Sequence, residues 1–134
     1  MKSFLIHFAI AVTVLPAVAQ DGVDLEKYRA QSVKKWDKAI TQLEALDKAE
    51  KHPADSILFI GSSSIKRWDQ IDADMAPYHP IRRGFGGSHW SDVAIFADRL
   101  IKPHKFRALV CFVGNDIQGK KNDKSPEEVV ALFE

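Results

Sequence analysis

The sequence is short of cysteine and of net charge, and each shortage excludes a class of protein. Cys111 is the one cysteine among 134 residues, so neither an internal disulfide nor a multi-cysteine metal site can form. Nineteen lysines and arginines face 18 aspartates and glutamates, so the chain lacks the strongly basic surface of a nucleic-acid binder. Its 46% of hydrophobic residues is typical of a folded domain, and the length allows one.

Long hydrophobic runs are also missing. The longest, Phe4 to Val14, is interrupted by two polar residues and falls short of the roughly 18–20 residues that cross a membrane. Lys2 before it and the small residues Ala17-Val18-Ala19 after it form the pattern of a secretory signal peptide. An uncleaved membrane anchor is the alternative, and the Ala-x-Ala sequence disfavours it. We therefore predict cleavage after Ala19 and a secreted or periplasmic protein with no stable membrane span.

A single amphipathic helix is predicted from residue 24 to about residue 51. Asp24 is a plausible N-cap, and His52-Pro53 marks the end because a residue before proline is pushed out of the helical region. Apolar side chains recur mostly at three- and four-residue steps, at Leu25, Tyr28, Val33, Trp36, Ile40, Leu43 and Leu46. We interpret this stripe as a packing face without chemistry. The predicted organisation is a signal peptide at 1–19, this helix within 20–53, and a further domain at 54–134.

Strand and helix patterns alternate through residues 54–134. Short apolar runs predict strands at 56–60, 81–83 and 107–113, the first buried on both faces. Helical patterns follow at 64–74, at 90–100 and from Ser125 onward, where a capping residue, a proline and two acids stand in order. Such alternation predicts an α/β fold with a parallel sheet.

Small and polar residues follow all three predicted strands. Ligands bind beyond the carboxyl ends of parallel strands, which is where these loops lie. A serine in a tight strand-to-helix turn can expose its hydroxyl there, while glycine-rich backbone and an asparagine amide can donate to an oxyanion. A single loop of this composition would be explained as an ordinary turn. Three of them at successive strand ends favour an acyl-transfer site. The loops are Gly61-Ser62-Ser63-Ser64, Gly84-Phe85-Gly86-Gly87-Ser88 and Gly114-Asn115-Asp116.

With their preceding strands, these three blocks resemble the first three sequence blocks of the SGNH (GDSL) hydrolases. The branch they resemble includes platelet-activating-factor acetylhydrolase-like and lysophospholipase-like esterases. The resemblance implies a flavodoxin-like three-layer α/β/α sandwich and a cofactor-free hydrolase acting on a small ester, either a lipid or an acylated sugar. It implies that Ser63 is the nucleophile. It also implies an oxyanion hole formed by the backbone N–H groups of Ser63 and Gly87 and the side chain of Asn115.

Two departures from the family pattern affect these assignments. Ser62 stands where the first block has an acid, which is tolerable because that residue supports the turn. The third block reads Gly114-Asn115-Asp116 without the usual spacer residue, so the loop is one residue tighter around Asn115. Ser64 is the rival nucleophile by proximity to Ser63, and we expect it to be the weaker candidate.

The general base that a serine nucleophile needs is missing from the sequence. In the resembled family it is the histidine of an Asp-x-x-His block, and no histidine here follows an aspartate at that spacing. We expect His52 and His104 to be solvated loop residues, and His89 to be an exposed loop residue near the site. Three strands are found where the resembled fold has five. The expectation is therefore a C-terminally truncated chain with only background hydrolysis of p-nitrophenyl acetate.

Two other functions remain open. One is a non-catalytic module that binds acyl or carbohydrate groups in the same crevice. The other is a flavodoxin-like phosphate or nucleotide binder, although the sequence has neither a Gly-x-Gly-x-x-Gly nor a Walker motif. No set of His, Asp and Glu at ligand spacing lies beside the candidate site, so no metal or cofactor is predicted.

Overall fold

A computed structural model describes residues 23–134, and the predicted signal peptide at 1–19 lies outside the described residues. Within residues 23–134, no helix combines the length and the apolar character that crossing a membrane requires. The elements in chain order are α1 (Glu26–Ala49), β1 (Ile57–Gly61), α2 (Ser63–Lys66), α3 (Ile71–Asp74), β2 (Pro80–Gly84), α4 (Trp90–Ile101), β3 (Ala108–Phe112) and α5 (Pro126–Phe133).

The three strands form a parallel sheet in the order β2-β1-β3. Ile57 pairs with Pro80 on one side and with Ala108 on the other, so the strands start in register. Helices α1 and α4 cover one face of the sheet, and α2 and α3 cover the other. The prediction of an α/β fold with a parallel sheet is confirmed, as an incomplete flavodoxin-like sandwich with an N-terminal helix.

β1 is the centre of the core because its five residues are buried on both faces. Such a run suits a central strand of a parallel sheet, where helices exclude water from both sides. Its side chains alternate between two apolar clusters. Facing α1 and α4 are Leu58 and Ile60, packed with Ile40, Ile81, Phe85, Val93, Phe96 and Leu100. Facing α2 and α3 are Ile57 and Phe59, packed with Ile65, Ile71, Trp68 and Met75.

The single helix predicted at 64–74 is wrong, because the chain forms two short helices there. Arg67 is the C-cap of α2, and the backbone leaves the α-helix until Ile71. Side chains of this segment bond elsewhere: the Trp68 indole N–H donates to Asp74 (2.6 Å), and Arg82 of β2 donates to Asp69 (3.0 Å). The predicted apolar spacing still places Ile65 and Ile71 in the core, since a three-residue step also suits tighter turns.

α1 forms close to its predicted range, but two details of the prediction are wrong. The N-cap is Leu25, and Asp24 accepts a hydrogen bond from the Glu26 N–H (3.0 Å). Val33 and Leu46 of the predicted stripe are each 41% exposed. The buried face instead includes Ser32, whose hydroxyl donates to the buried carboxylate of Asp92 on α4. A polar pair therefore joins the two helices where the stripe predicted an apolar contact.

An ionic cluster around the buried Arg83 joins the carboxyl-terminal end of α1 to β2. The Arg83 guanidinium, 2% exposed, donates to Asp47 (2.6 Å) and Glu50 (2.8 Å). His104 packs against the same cluster, with its Nε2 3.2 Å from Asp47. The prediction that His104 is a solvated loop residue is wrong: its side chain is 6% exposed, since the turn before β3 folds it under α1. His52 is exposed and pairs with Glu50 (3.0 Å).

β3 has the composition of an interior strand and the exposure of an edge strand. It pairs with β1 along one edge. Leu109, Val110 and Phe112 are 42%, 39% and 52% exposed. Of its five residues, Cys111 alone is half-buried.

Gly61 lets β1 and β3 approach closely, and the first prediction tests this. A Cβ at residue 61 would lie 2.1 Å from the carbonyl oxygen of Phe112, and the Gly61 φ of 135° disfavours any side chain. We expect Gly61→Ala to lower the free energy of unfolding by roughly 3 kcal/mol or more, since strained backbone and overpacking each cost about 1–3 kcal/mol. Gly119→Ala is the matched control, because Gly119 also has a positive φ but open space around it; it should lose about 1–2 kcal/mol. If urea unfolding showed the same loss of unfolding free energy for Gly61→Ala and Gly119→Ala, the close approach of β1 and β3 would not explain the need for Gly61.

His104 makes stability pH-dependent in a defined direction. Burial lowers the pKa of His104, while Asp47 acts to raise it and Arg83 and His52 act to lower it. The unfolded chain therefore takes up a proton first, so stability falls as the pH drops through about 6.5 toward the lower pKa of the folded state. A hydrogen bond from Arg99 lowers the pKa of Glu44, and hydrogen bonds from Arg83 and His52 outweigh burial and lower the pKa of Glu50, so both contributions are lost only at more acidic pH. In urea unfolding at pH 7.5 and 5.5, His104→Gln should flatten the dependence, whereas His79→Gln, at an exposed position, should not.

Candidate active site

The carboxyl ends of all three strands lie side by side. Gly61, the last residue of β1, pairs with Gly84 of β2 and Phe112 of β3. Two backbone hydrogen bonds continue the pairing into the loops: the Ser62 N–H donates to Phe112 (3.0 Å), and the Phe85 N–H donates to Gly61 (2.9 Å). The three loops selected from the sequence therefore start from one edge of the sheet.

The three serines of the first loop differ in exposure. Ser62 is 2% exposed and serves as the N-cap residue of α2, so its hydroxyl is closed to a substrate. Ser63 begins α2 and is half-buried, while Ser64 is exposed. The Ser63 hydroxyl has no hydrogen-bond partner among residues 23–134. Its exposure and position leave Ser63 able to meet a ligand at the sheet edge, and its role as nucleophile stays a prediction.

Gly87 and Asn115 lie next to each other. A Cβ on Gly87 would be 3.9 Å from the Asn115 Nδ2, so the second and third loops meet at these two residues. The Asn115 Nδ2 donates one hydrogen bond to the Ser88 carbonyl (2.8 Å). An amide nitrogen carries two N–H donors, so one remains for another acceptor. Within residues 23–134 the Gly87 N–H also has no acceptor. Two neighbouring donors therefore remain available, which is what an oxyanion hole needs.

Gln118 holds the Asn115 carboxamide in one orientation, and the sequence reasoning missed it. The Gln118 Nε2 donates to the Asn115 Oδ1 (3.0 Å), so the Asn115 side chain is bonded at both ends. A glutamine three residues after an asparagine, as Gln118 is after Asn115, belongs to no recognisable sequence motif. The sequence therefore offered no means of finding Gln118.

Asp116 ties the third loop to the start of α4. Its side chain is 2% exposed and accepts hydrogen bonds from the Trp90 N–H (2.8 Å) and from the Lys124 ammonium. The Lys124 N–H also donates to the Asp116 carbonyl (2.9 Å). Residues 114–124 are thus closed into a loop anchored on a buried carboxylate. The Asn-Asp pair of the third block was a visible signal for Asp116, although its anchoring role was not predicted.

His89 is the N-cap residue of α4, and its side chain is 42% exposed. Its Nδ1 is buried and lies 3.2 Å from the Asp116 Oδ1 without a well-aligned hydrogen bond. The expectation of an exposed loop histidine near the site is therefore only half right, because one ring nitrogen faces protein.

Two cavities lie near the strand ends and differ in chemistry. A polar cavity of about 380 Å³ is lined by Gly87, His89, Asn115, Gln118, Lys120, Lys121, Asn122 and Asp123. A larger apolar groove of about 630 Å³ lies between α4, β3 and α5 and contains none of Ser63, Gly87 and Asn115. Cys111 lines that groove, and burial raises the pKa of its thiol to about 11, so it stays protonated and is a poor nucleophile near neutral pH.

Comparison with known proteins supports the fold. No family model matches the chain, and no curated protein matches it. The chain is similar to a solved structure from Streptococcus pneumonia, described as a provisionally assigned platelet activating factor. The TM-score is 0.57 and the sequence identity 19%, over 81% of this chain. The chain spans about half the length of that structure, 48%. At this identity the similarity establishes a shared α/β fold.

Removal of the Asp116 carboxylate tests the loop anchor. Asp116→Ala leaves Lys124 without its ion pair and the Trp90 N–H without its acceptor, so we expect a loss of about 3–5 kcal/mol of unfolding free energy. Amide hydrogen exchange in residues 114–124 should speed up more than in β1. Asp98→Ala is the control, because the Asp98–Lys102 pair is exposed at both ends, and it should change stability by no more than about 0.5 kcal/mol. Unchanged exchange in Asp116→Ala would contradict the anchoring role.

Proposed function

We propose that this chain carries the nucleophile and oxyanion hole of a serine acyl hydrolase of the SGNH type. Its substrate would be a small carboxylic ester, a lipid or an acylated sugar, and it would use no cofactor. The observation that carries the proposal is the meeting of Gly87 and Asn115, whose free donors lie beside each other at the edge from which the Ser63 turn leaves.

The proposed reaction needs few groups. The Ser63 oxygen bonds to the ester carbonyl carbon, its proton passes to a base, and the carbonyl oxygen becomes an oxyanion. The N–H groups of Ser63, Gly87 and Asn115 donate to that oxyanion, which such preorganised donors stabilise in the transition state. The alcohol then leaves, taking up a proton, and water releases the acid from the acyl-enzyme.

The base is not assigned among residues 23–134. His89 is the histidine of the polar cavity, which Ser63 does not line, so we assign His89 to ligand contact and not to the base. Without an adjacent base a serine attacks slowly. We therefore expect activated esters to acylate Ser63 and the acyl-enzyme to hydrolyse slowly. A location outside the cytoplasm, inferred from residues 1–19, is part of the proposal.

Stoichiometric acylation is the test. Incubation with p-nitrophenyl acetate should add one acetyl group per chain, detected by intact-mass spectrometry and mapped to Ser63 by peptide analysis, with little further turnover. Asn115→Leu should slow acylation by about 10²-fold, the cost of one oxyanion donor. Gln118→Leu should slow it less, because Asn115 keeps its bond to Ser88.

Two serine variants separate the candidate nucleophiles. Ser63→Ala should abolish specific acetylation, while Ser64→Ala, changing the neighbouring exposed hydroxyl, should leave it intact. Acetylation that persists in Ser63→Ala, or that spreads over surface lysines at equal rates, would exclude the esterase proposal. That result would leave a non-catalytic binding module as the better description.

A further inference from the structure

The polar cavity beside Gly87 and Asn115 has a cationic wall. The loop after β3 supplies six of its eight lining residues, among them Lys120 and Lys121. Its volume of about 380 Å³ lies within the range of small-molecule sites. Gly87 and Asn115 belong both to this cavity and to the proposed oxyanion hole, so a group bound in the cavity would lie next to the proposed position of the oxyanion; Ser63 is not among the lining residues.

The lysines of this loop are not equally neutralised. Lys124 is paired with the buried Asp116, so its charge is already balanced. The Lys120 ammonium donates to the neutral side-chain oxygen of Gln118. Neither Lys120 nor Lys121 forms an ion pair with any residue of 23–134. Among residues 23–134, Lys121 therefore has no acidic partner, and Lys120 is balanced only by its longer-range attraction to Asp123.

Asp123 is the acid among the residues that line the cavity, and its carboxylate is already hydrogen-bonded to the backbone of its own loop. Its Oδ2 accepts hydrogen bonds from the backbone N–H groups of Lys120 (2.9 Å) and Gln118. These bonds, that of Lys120 foremost, hold the pKa of Asp123 below its usual range. The carboxylate thus shapes the loop. The two lysines that line the cavity outnumber this one carboxylate, so the cavity keeps an excess of positive charge.

We propose that this cavity binds an anionic group of the ester substrate, a carboxylate or a phosphate, through Lys120 and Lys121. Lysine is a mobile point charge that suits either anion. The inference rests on the proposed function and names its substrate class: an ester with a negative charge a short distance from the reacting carbonyl.

Anion binding is tested apart from catalysis. Inorganic phosphate and glutarate are titrated separately into the chain at constant ionic strength, with amide chemical shifts as the readout. We expect saturable shifts centred on Gly87, Asn115 and residues 120–122, weakened at least fivefold in the double variant Lys120→Gln/Lys121→Gln. Ser63→Ala should bind both anions normally.

Lys38→Gln on the exposed surface of α1 is the control for loss of lysine charge, and it should leave anion binding unchanged. Shifts spread over all lysine-bearing surfaces, or equal affinities in the double variant, would overturn the proposal. A preference for phosphate over glutarate, or the reverse, identifies which anion the substrate carries.

A pair of matched esters tests the link to the reaction. The acylation rate of Ser63 is compared for mono-4-nitrophenyl glutarate and for 4-nitrophenyl valerate, which lacks the carboxylate. We expect the glutarate ester to react several-fold faster, and the double lysine variant to remove that advantage without slowing the valerate ester. Equal rates for both esters would overturn the substrate class. Failure of both esters to acylate Ser63, with lysine-dependent anion binding retained, would exclude the esterase and support the anion site alone.

Discussion

The close approach of β1 and β3 at their carboxyl ends is the constraint on which the candidate site depends. The Gly61 backbone lies where a Cβ would strike the Phe112 carbonyl, and the Ser62 N–H donates to that same oxygen. This contact fixes where the serine turn leaves the sheet. A wider separation would move this turn relative to the loop that follows β3 and carries Asn115.

Two carboxylates with little solvent exposure complete the arrangement on both sides of that contact. Asp47 holds Arg83, so β2 and the glycine loop after it are tied to α1. Asp116 holds Lys124 and the Trp90 N–H, so the third loop is tied to α4. Each carboxylate has its charge balanced by a hydrogen-bonded cation, which makes burial tolerable. The loops at the strand ends are therefore positioned by ionic anchors under them, leaving the neutral donors free for a ligand.

The resemblance in three short sequence blocks and the solved structure from Streptococcus pneumonia agree on the fold. At 19% identity over about half of that structure, the comparison adds nothing about catalysis. The proposal of an acyl hydrolase depends instead on local chemistry: an accessible serine, two adjacent free N–H donors and a cavity with unpaired lysines. Each of these features can be removed by a substitution that leaves the core intact.

The sequence by itself determined the strands, the long first helix and the three loops. Runs of apolar residues and the glycines that end them act locally along the chain. It could not determine the break between α2 and α3. The hydrogen bonds that accompany this break join Trp68 to Asp74 and Arg82 to Asp69, which lie more than one helical turn apart in the chain. It also placed His104 in solvent and missed Gln118. Burial and side-chain partners depend on residues distant in the chain, such as Asp47 beneath His104. Only the tertiary structure decided which polar groups are anchored and which remain free to bind.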